Sequence, residues 1–143
     1  MKHILFFAPL GLLIFGSCSR YCSEKPAPGP TNPHTTTELS SHWKWIRTEG
    51  GIGNLTETPA STGRNVEMRL AANHQYFIYT NGVITSQGTY DLETRNSLLS
   101  KTDRQFIDFS NDTDMMVDQM DDTTLKLSMD VYDGTGSLYS KIH

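Results

Sequence analysis

Cysteine is absent from most of this 143-residue sequence: its two cysteines, Cys18 and Cys22, both lie near the N-terminus. The remaining chain therefore has no disulfide cross-link and no thiolate ligand for a metal ion. The same absence excludes cysteine hydrolases and Cys-x-x-Cys redox proteins. A domain formed by the later residues must therefore fold without disulfides.

Motifs that would identify a reaction are also missing. Ser61 is not part of a Gly-x-Ser-x-Gly sequence, and the chain has no glycine-rich phosphate loop. The histidines His42, His74 and His143 are far apart and have no His-x-x-x-His spacing. We therefore expect no catalytic residue, no metal site and no cofactor, and we expect that the protein is not an enzyme.

Positive charge is scarce, because 12 Lys and Arg face 16 Asp and Glu, for a formal net charge of −4. A nucleic-acid surface needs clustered Lys and Arg, so nucleic acid is excluded as a partner. Residues 105–143 form an acidic C-terminal half with eight Asp and two Lys. Asp112-x-Asp114 and Asp130-x-x-Asp133 lack the ligand spacing of an EF-hand, which favours solvated turns over calcium sites. Glycan hydrolysis by two of these carboxylates is a minor alternative.

Long hydrophobic runs are absent except for one at the N-terminus. It covers the 12 residues Ile4–Phe15 and follows Lys2, which is the layout of a secretory signal peptide. A transmembrane helix needs about 20 apolar residues, so this run is too short to span a bilayer.

The residues that end this run are Phe15-Gly16-Ser17-Cys18. They resemble a bacterial lipobox, although Phe15 stands where that family usually has Leu. The resemblance implies a lipoprotein signal peptide over residues 1–17, acylation of Cys18, for example with palmitate, and attachment to the outer membrane of the cell envelope. The alternative is a secreted protein in which Cys18 and Cys22 pair or are removed.

Proline is concentrated after this signal. The segment Lys25–Pro33 holds four of the six prolines, and three threonines follow at Thr35–Thr37. Such a sequence favours extended polyproline II over a packed core. We expect the lipidated N-terminus and a disordered linker over residues 18–41, followed by one folded domain over residues 42–143.

The pattern within residues 42–143 is that of an all-β protein. Short runs of alternating apolar and polar residues recur with turn residues between them, and no long segment has a helical period. Asn81-Gly82 between two such runs is a strong hairpin signal. Strands are predicted at 42–48, 66–70, 75–80, 83–92, 97–102, 105–110, 115–120, 124–131 and 137–142, with a long loop at 49–64. The short connections favour an antiparallel up-and-down β-barrel of about eight strands.

The order of several motifs resembles the small lipocalin-like domains of bacterial lipoproteins. These motifs are Trp43-x-Trp45, Thr58–Gly63, Gly88-Thr89-Tyr90, Leu125-Lys126-Leu127 and Asp133-Gly134. The resemblance covers residues 42–142 and implies a short barrel that is open at one end. Such a barrel holds one small ligand or is filled by its own side chains.

The candidate ligand-binding residues are the aromatic residues Trp43, Trp45, Tyr76 and Tyr90, which either line a pocket or fill the core. Our leading hypothesis is an outer-membrane lipoprotein that binds a small apolar or amphipathic molecule. The alternative is an interaction module, in which the barrel loops and the acidic C-terminal half bind a protein or another component of the envelope.

Overall fold

The structure, a computed structural model, describes residues 34–143. The expected signal peptide, Cys18 and most of the expected linker lie outside the described residues. Within these described residues there are two short helices and nine strands, which are, in chain order, α1 (Thr36–Leu39), β1 (Ser41–Gly50), β2 (Leu55–Glu57), α2 (Pro59–Thr62), β3 (Val66–Leu70), β4 (Gln75–Thr80), β5 (Val83–Asn96), β6 (Asp103–Phe109), β7 (Met115–Met120), β8 (Thr124–Ser128) and β9 (Thr135–Ile142).

Eight of these strands form a closed antiparallel barrel. The neighbours follow the order β1, β3, β4, β5, β6, β7, β8 and β9, and β9 pairs with β1 to close the sheet. Ile142 lies opposite His42 and Thr135 lies opposite Gly50, so closure runs along the whole length of β1. The short strand β2 pairs with the end of β1 outside this cycle. The predicted all-β, up-and-down architecture is confirmed, and it is consistent with a lipocalin-like fold.

Alternating side chains explain why these segments become strands with one buried face. In β1, Trp43 and Trp45 are buried while Lys44 is exposed, as the sequence predicts. The β4–β5 hairpin turns at Asn81 and Gly82, whose φ angles of 52° and 81° are those that a type I′ turn requires.

The main hydrophobic core consists of inward-facing residues from seven of the barrel strands together with Leu39 from α1. Its buried members are Leu39, Trp43, Met68, Leu70, Tyr76, Tyr90, Ile107, Phe109, Val117, Leu125 and Leu127. Tyr76 and Phe109 meet edge to face, with their ring centroids 4.8 Å apart. These side chains pack against one another in the barrel interior.

The predicted boundary of the linker at residue 41 is wrong. Helix α1 is capped by Thr35, and Leu39 within it is fully buried, at 0% exposure. The backbone of His34 forms two hydrogen bonds with the side chain of Gln105, at 2.8 and 2.6 Å. The folded domain therefore begins by residue 34, because an apolar residue and a capping pair follow the prolines.

The strand predicted at 97–102 is also wrong, because these residues form the turn between β5 and β6. The carboxylate of Asp130 accepts hydrogen bonds from the Ser97 hydroxyl at 2.7 Å and from the amides of Leu98 and Leu99 at 2.6 and 3.2 Å. The side chains of Leu98 and Leu99 are left exposed. Asp130 therefore acts as the anchor of this turn.

Candidate functional site

Three of the four candidate ligand-binding residues belong to the packed core. Trp43 and Tyr76 have 0% of their surface exposed, and Tyr90 has 1%. Their polar atoms are bonded within the protein: the indole of Trp43 donates to the Leu39 carbonyl at 3.1 Å, and the hydroxyl of Tyr90 donates to the Ala71 carbonyl at 2.9 Å. The structure thus places these residues in the filled part of the barrel.

Trp45 has a different position. It is 4% exposed, lies outside the main core cluster, and lines a cavity of about 140 Å³. The cavity is lined by Trp45, Thr48, Arg64, Val66, Ser137 and Tyr139. Drug-sized ligands occupy roughly 300–1,000 Å³, whereas a cavity of about 150 Å³ accommodates benzene. This cavity is open to solvent, so it suits one aromatic ring or one end of a longer molecule that extends out of it.

A β-bulge in β1 builds one wall of this cavity. Trp45 pairs with Tyr139 and Arg47 pairs with Leu138, so one extra residue is inserted between them. Residues three apart on a regular strand point to opposite faces, but the inserted residue turns Thr48 to the same face as Trp45. As a result, the Trp45 indole donates a hydrogen bond to the Thr48 hydroxyl at 2.9 Å.

Strand β9 supplies the hydroxyl groups next to Thr48. The hydroxyl oxygens of Thr48 and Ser137 lie 2.7 Å apart in a hydrogen bond that either can donate. Tyr139 lines the cavity two residues further on. Loss of hydration raises the pKa of the Tyr139 hydroxyl above its ordinary value of 10.0, against the opposite effect of a hydrogen bond with Ser137. Tyr139 is therefore a neutral phenol at physiological pH.

Arg64 reaches the cavity from the connection between β1 and β3. Thr58 and Ser61 form a capping box, Pro59 begins α2, and Gly63 ends the helix with a φ of 68°. Arg64 follows directly. Its guanidinium lies 5.8 Å from the centre of the Trp45 ring and forms an ion pair with Glu57 of β2 at 2.9 Å.

Exposed apolar residues lie at the end of the barrel where the β1–β2 turn, the β4–β5 hairpin and the β8–β9 connection are found. Ile52 in the β1–β2 turn is 94% exposed, and Tyr132 in the β8–β9 connection is 83% exposed. These two connections are joined by a hydrogen bond from the amide of Gly51 to the carbonyl of Gly134 at 3.2 Å. Leu55 and Val83 are exposed in β2 and at the start of β5. We call Ile52, Leu55, Val83 and Tyr132 the apolar rim.

Several acidic residues have structural partners. Arg95 lies over the Phe106 ring at 4.0 Å and forms ion pairs with Glu93, Asp108 and Asp114. Within residues 34–143, no group of three or more His, Cys, Asp or Glu residues is arranged to hold a metal ion. Over the same residues, no helix is long and apolar enough to cross a membrane.

Of the residues that line the cavity, the sequence pattern indicates Trp45 but not the other five, which are Thr48, Arg64, Val66, Ser137 and Tyr139. The long 49–64 loop was a usable signal for Arg64, because long ordered loops are often functional. The bulge that turns Thr48 inward has no comparable signal in the sequence.

Comparison of the chain with models of protein families, with curated proteins and with solved structures finds no match.

Proposed function

We propose that this protein is a lipoprotein of the bacterial outer membrane, anchored through acylated Cys18, whose lipocalin-like barrel binds a small amphipathic molecule and does not catalyse a reaction. The cavity beside Trp45 is the observation that carries the binding part of this proposal. It combines the indole of Trp45 and the side chain of Val66 with the polar groups of Arg64 and Ser137. Polar groups that converge on a concave surface are a feature of small-molecule sites, and here they outnumber the apolar side chains.

The filled core limits the ligand on the inner side. Trp43, Tyr76 and Tyr90 occupy interior space that larger ligand-binding barrels leave open. The ligand therefore binds as a small molecule, or as the terminal group of a longer molecule whose remainder stays outside the barrel. The sequence resemblance of Phe15-Gly16-Ser17-Cys18 to a lipobox supports the anchoring part.

Binding is tested by fluorescence titration of the detergent-solubilised full-length protein with small aromatic and aliphatic amphiphiles. Saturable quenching in the Trp43→Phe variant, where Trp45 is the remaining tryptophan, supports the proposal. Loss of that quenching when Val66→Phe, designed to fill the cavity without adding a tryptophan, is combined with Trp43→Phe assigns the quenching to this site. The absence of saturable binding by every probe would reject the binding function.

Anchoring is tested separately, by labelling cells with palmitate. The label should enter the wild-type protein and the Cys22→Ala variant equally, and it should be absent from Cys18→Ala. The Cys18→Ala protein should also leave the membrane fraction. Equal labelling of all three proteins would reject acylation at Cys18.

A second candidate function is an interaction module, and the apolar rim favours it. Ile52 and Tyr132 place large apolar surfaces in water on adjoining connections. Exposed apolar groups that cluster are typical of protein-binding surfaces. The acidic C-terminal half offers less support, because the carboxylate of Asp121 already accepts hydrogen bonds from the amides of Thr123 and Thr124.

This candidate is tested by photo-crosslinking in intact cells. A crosslinking residue at Tyr132 should yield a discrete protein adduct, whereas one at Asp122 in the β7–β8 turn should not. An adduct from both positions, or from neither, would speak against a rim that recognises a partner.

A further inference from the structure

We infer that the cavity beside Trp45 selects molecules that carry a carboxylate or a similar oxyanion on a small apolar body. This inference rests on the proposed binding function and adds the chemical class of the ligand. It is based on the side chains that line the cavity and on the protons that they offer.

The Thr48 and Ser137 hydroxyl groups in the cavity wall leave one proton available for a hydrogen bond to a ligand. The Trp45 indole can only donate, and it donates to the Thr48 hydroxyl at 2.9 Å. Thr48 and Ser137 share one hydrogen bond at 2.7 Å, and this bond uses one of their two protons whichever of them donates. The other proton remains for a further acceptor.

Arg64 gives the cavity its charge. A guanidinium has five N–H donors and no acceptor, and it remains protonated at any physiological pH. It lies 5.8 Å from the centre of the Trp45 ring, so an aromatic or aliphatic group placed against the indole has its polar end near Arg64. Among the described residues, the side chains that line the cavity include no carboxylate.

Glu57 is the group with which a ligand anion competes. Its carboxylate lies 2.9 Å from the guanidinium, and both side chains are about half exposed. An exposed ion pair contributes little stability, so the guanidinium can turn to a second carboxylate or bind both. Removal of the Glu57 charge should therefore strengthen the binding of an anion, whereas removal of the Arg64 charge should weaken it.

The volume of the cavity limits the class of ligand further. The volume of about 140 Å³ admits one ring or a short alkyl group with its head group. Benzoate, benzyl alcohol and benzylamine have similar size and apolar area and differ chiefly in the charge of the head group. They are the probes for this inference.

The experiment measures the affinity of the full-length protein for these three probes by fluorescence titration at low ionic strength. We expect benzoate to bind about tenfold or more tightly than either of the others, as a charge-assisted hydrogen bond would produce. Arg64→Gln should remove this preference, and Arg64→Lys should restore part of it because the charge returns without the planar fork. Glu57→Gln should increase benzoate affinity by about two- to fivefold.

The ion pair of Arg47 and Glu49 supplies the matched controls. Both residues lie on β1, the strand that carries Trp45, and the Arg47 Nε atom is 2.8 Å from a carboxylate oxygen of Glu49. Neither residue lines the cavity. Arg47→Gln and Glu49→Gln should leave the affinity for benzoate unchanged. Circular dichroism of every variant establishes that the barrel is intact before affinities are compared.

Failure of this inference and failure of the proposed function are distinguishable. Equal affinity for the three probes, or a benzoate preference that survives Arg64→Gln, would overturn the inference and leave a small-molecule site in place. A weaker affinity for benzoate in Glu57→Gln would also contradict it. No saturable binding by any of the three probes would overturn the inference and the binding function together.

Discussion

Replacing Trp43 with Phe should destabilise the barrel by about 3 kcal/mol, whereas the same change at Trp45 should cost about 1 kcal/mol. The two residues are two positions apart on one strand and are both buried, at 0% and 4% exposure. They differ in what surrounds them, since Trp43 is packed in the core cluster and Trp45 borders a cavity.

The loss of stability predicted for Trp43→Phe has two contributions. The smaller ring leaves a void in a packed region, which costs about 1–2 kcal/mol in lost burial and contacts. The lost indole N–H also leaves the Leu39 carbonyl without its donor at 3.1 Å, and an unpaired buried acceptor costs about 1–3 kcal/mol. For Trp45, the Thr48 hydroxyl keeps Ser137 as a partner, and the cavity can admit water, so the second part is small.

The measurement is equilibrium unfolding in urea, followed by far-UV circular dichroism because each variant removes a tryptophan. The slope of the transition should be unchanged, so that the shift in midpoint reports stability directly. Equal costs for the two variants, or a cost below about 1 kcal/mol for Trp43→Phe, would refute the division of the interior into a packed part and a cavity.

Three further predictions concern the fold. Leu39→Ala should destabilise the full-length chain by about 2–5 kcal/mol, because Leu39 is buried in the core. The same change at the exposed Leu55 should have little effect on the urea midpoint. Equal midpoints for the two variants would show that Leu39 is not part of the folded domain. Gly88→Ala should lower the thermal midpoint, because a Cβ there would collide with the Ser110 hydroxyl and lie 2.9 Å from the Asn111 amide and 3.0 Å from the Tyr76 ring. Gly136→Ala should be tolerated because its nearest neighbour would lie 3.7 Å away, and similar midpoints for the two variants would contradict this prediction. Hydrogen bonds from the Thr123 amide, which has the larger effect, and from Gln119 lower the pKa of Asp121 to about 2. The ionised Asp121 therefore stabilises the fold above its unfolded-state pKa of about 4, and this contribution is lost as the pH falls towards 2. The urea midpoint of Asp121→Asn should therefore vary less than that of the wild type between pH 5 and pH 2, and parallel curves would contradict the assignment.

The sequence was sufficient to predict the barrel because its local signals agree with one another. The alternation around Trp43 and Trp45 specifies a strand with one buried face, and Asn81-Gly82 specifies the hairpin that joins β4 to β5. Short connections between such strands leave few topologies other than an antiparallel meander.

Features that depend on partners distant in sequence were not predictable in this way. Ser97–Thr102 reads as a strand by composition, but Asp130, 32 residues beyond Leu98, holds the segment as a turn. The burial of Leu39 likewise depends on the barrel into which it packs. Local propensity is overridden wherever tertiary contacts of this kind are made.

The candidate site was predictable only in part for the same reason. Aromatic composition selected four residues, but it could not separate Trp45 from Trp43, Tyr76 and Tyr90, because all four alternate into the interior. The bulge between Trp45 and Arg47 and the position of Arg64 after α2 create the difference. Neither follows from strand periodicity.

The most direct test of a packed barrel core with a small cavity beside Trp45 is an NMR titration of the two tryptophan indole N–H groups with benzoate. The chain has two tryptophans, and each gives its own indole signal. We predict that benzoate shifts the Trp45 signal saturably and leaves the Trp43 signal in place. No shift of the Trp45 signal, or equal shifts of both signals, would contradict the account.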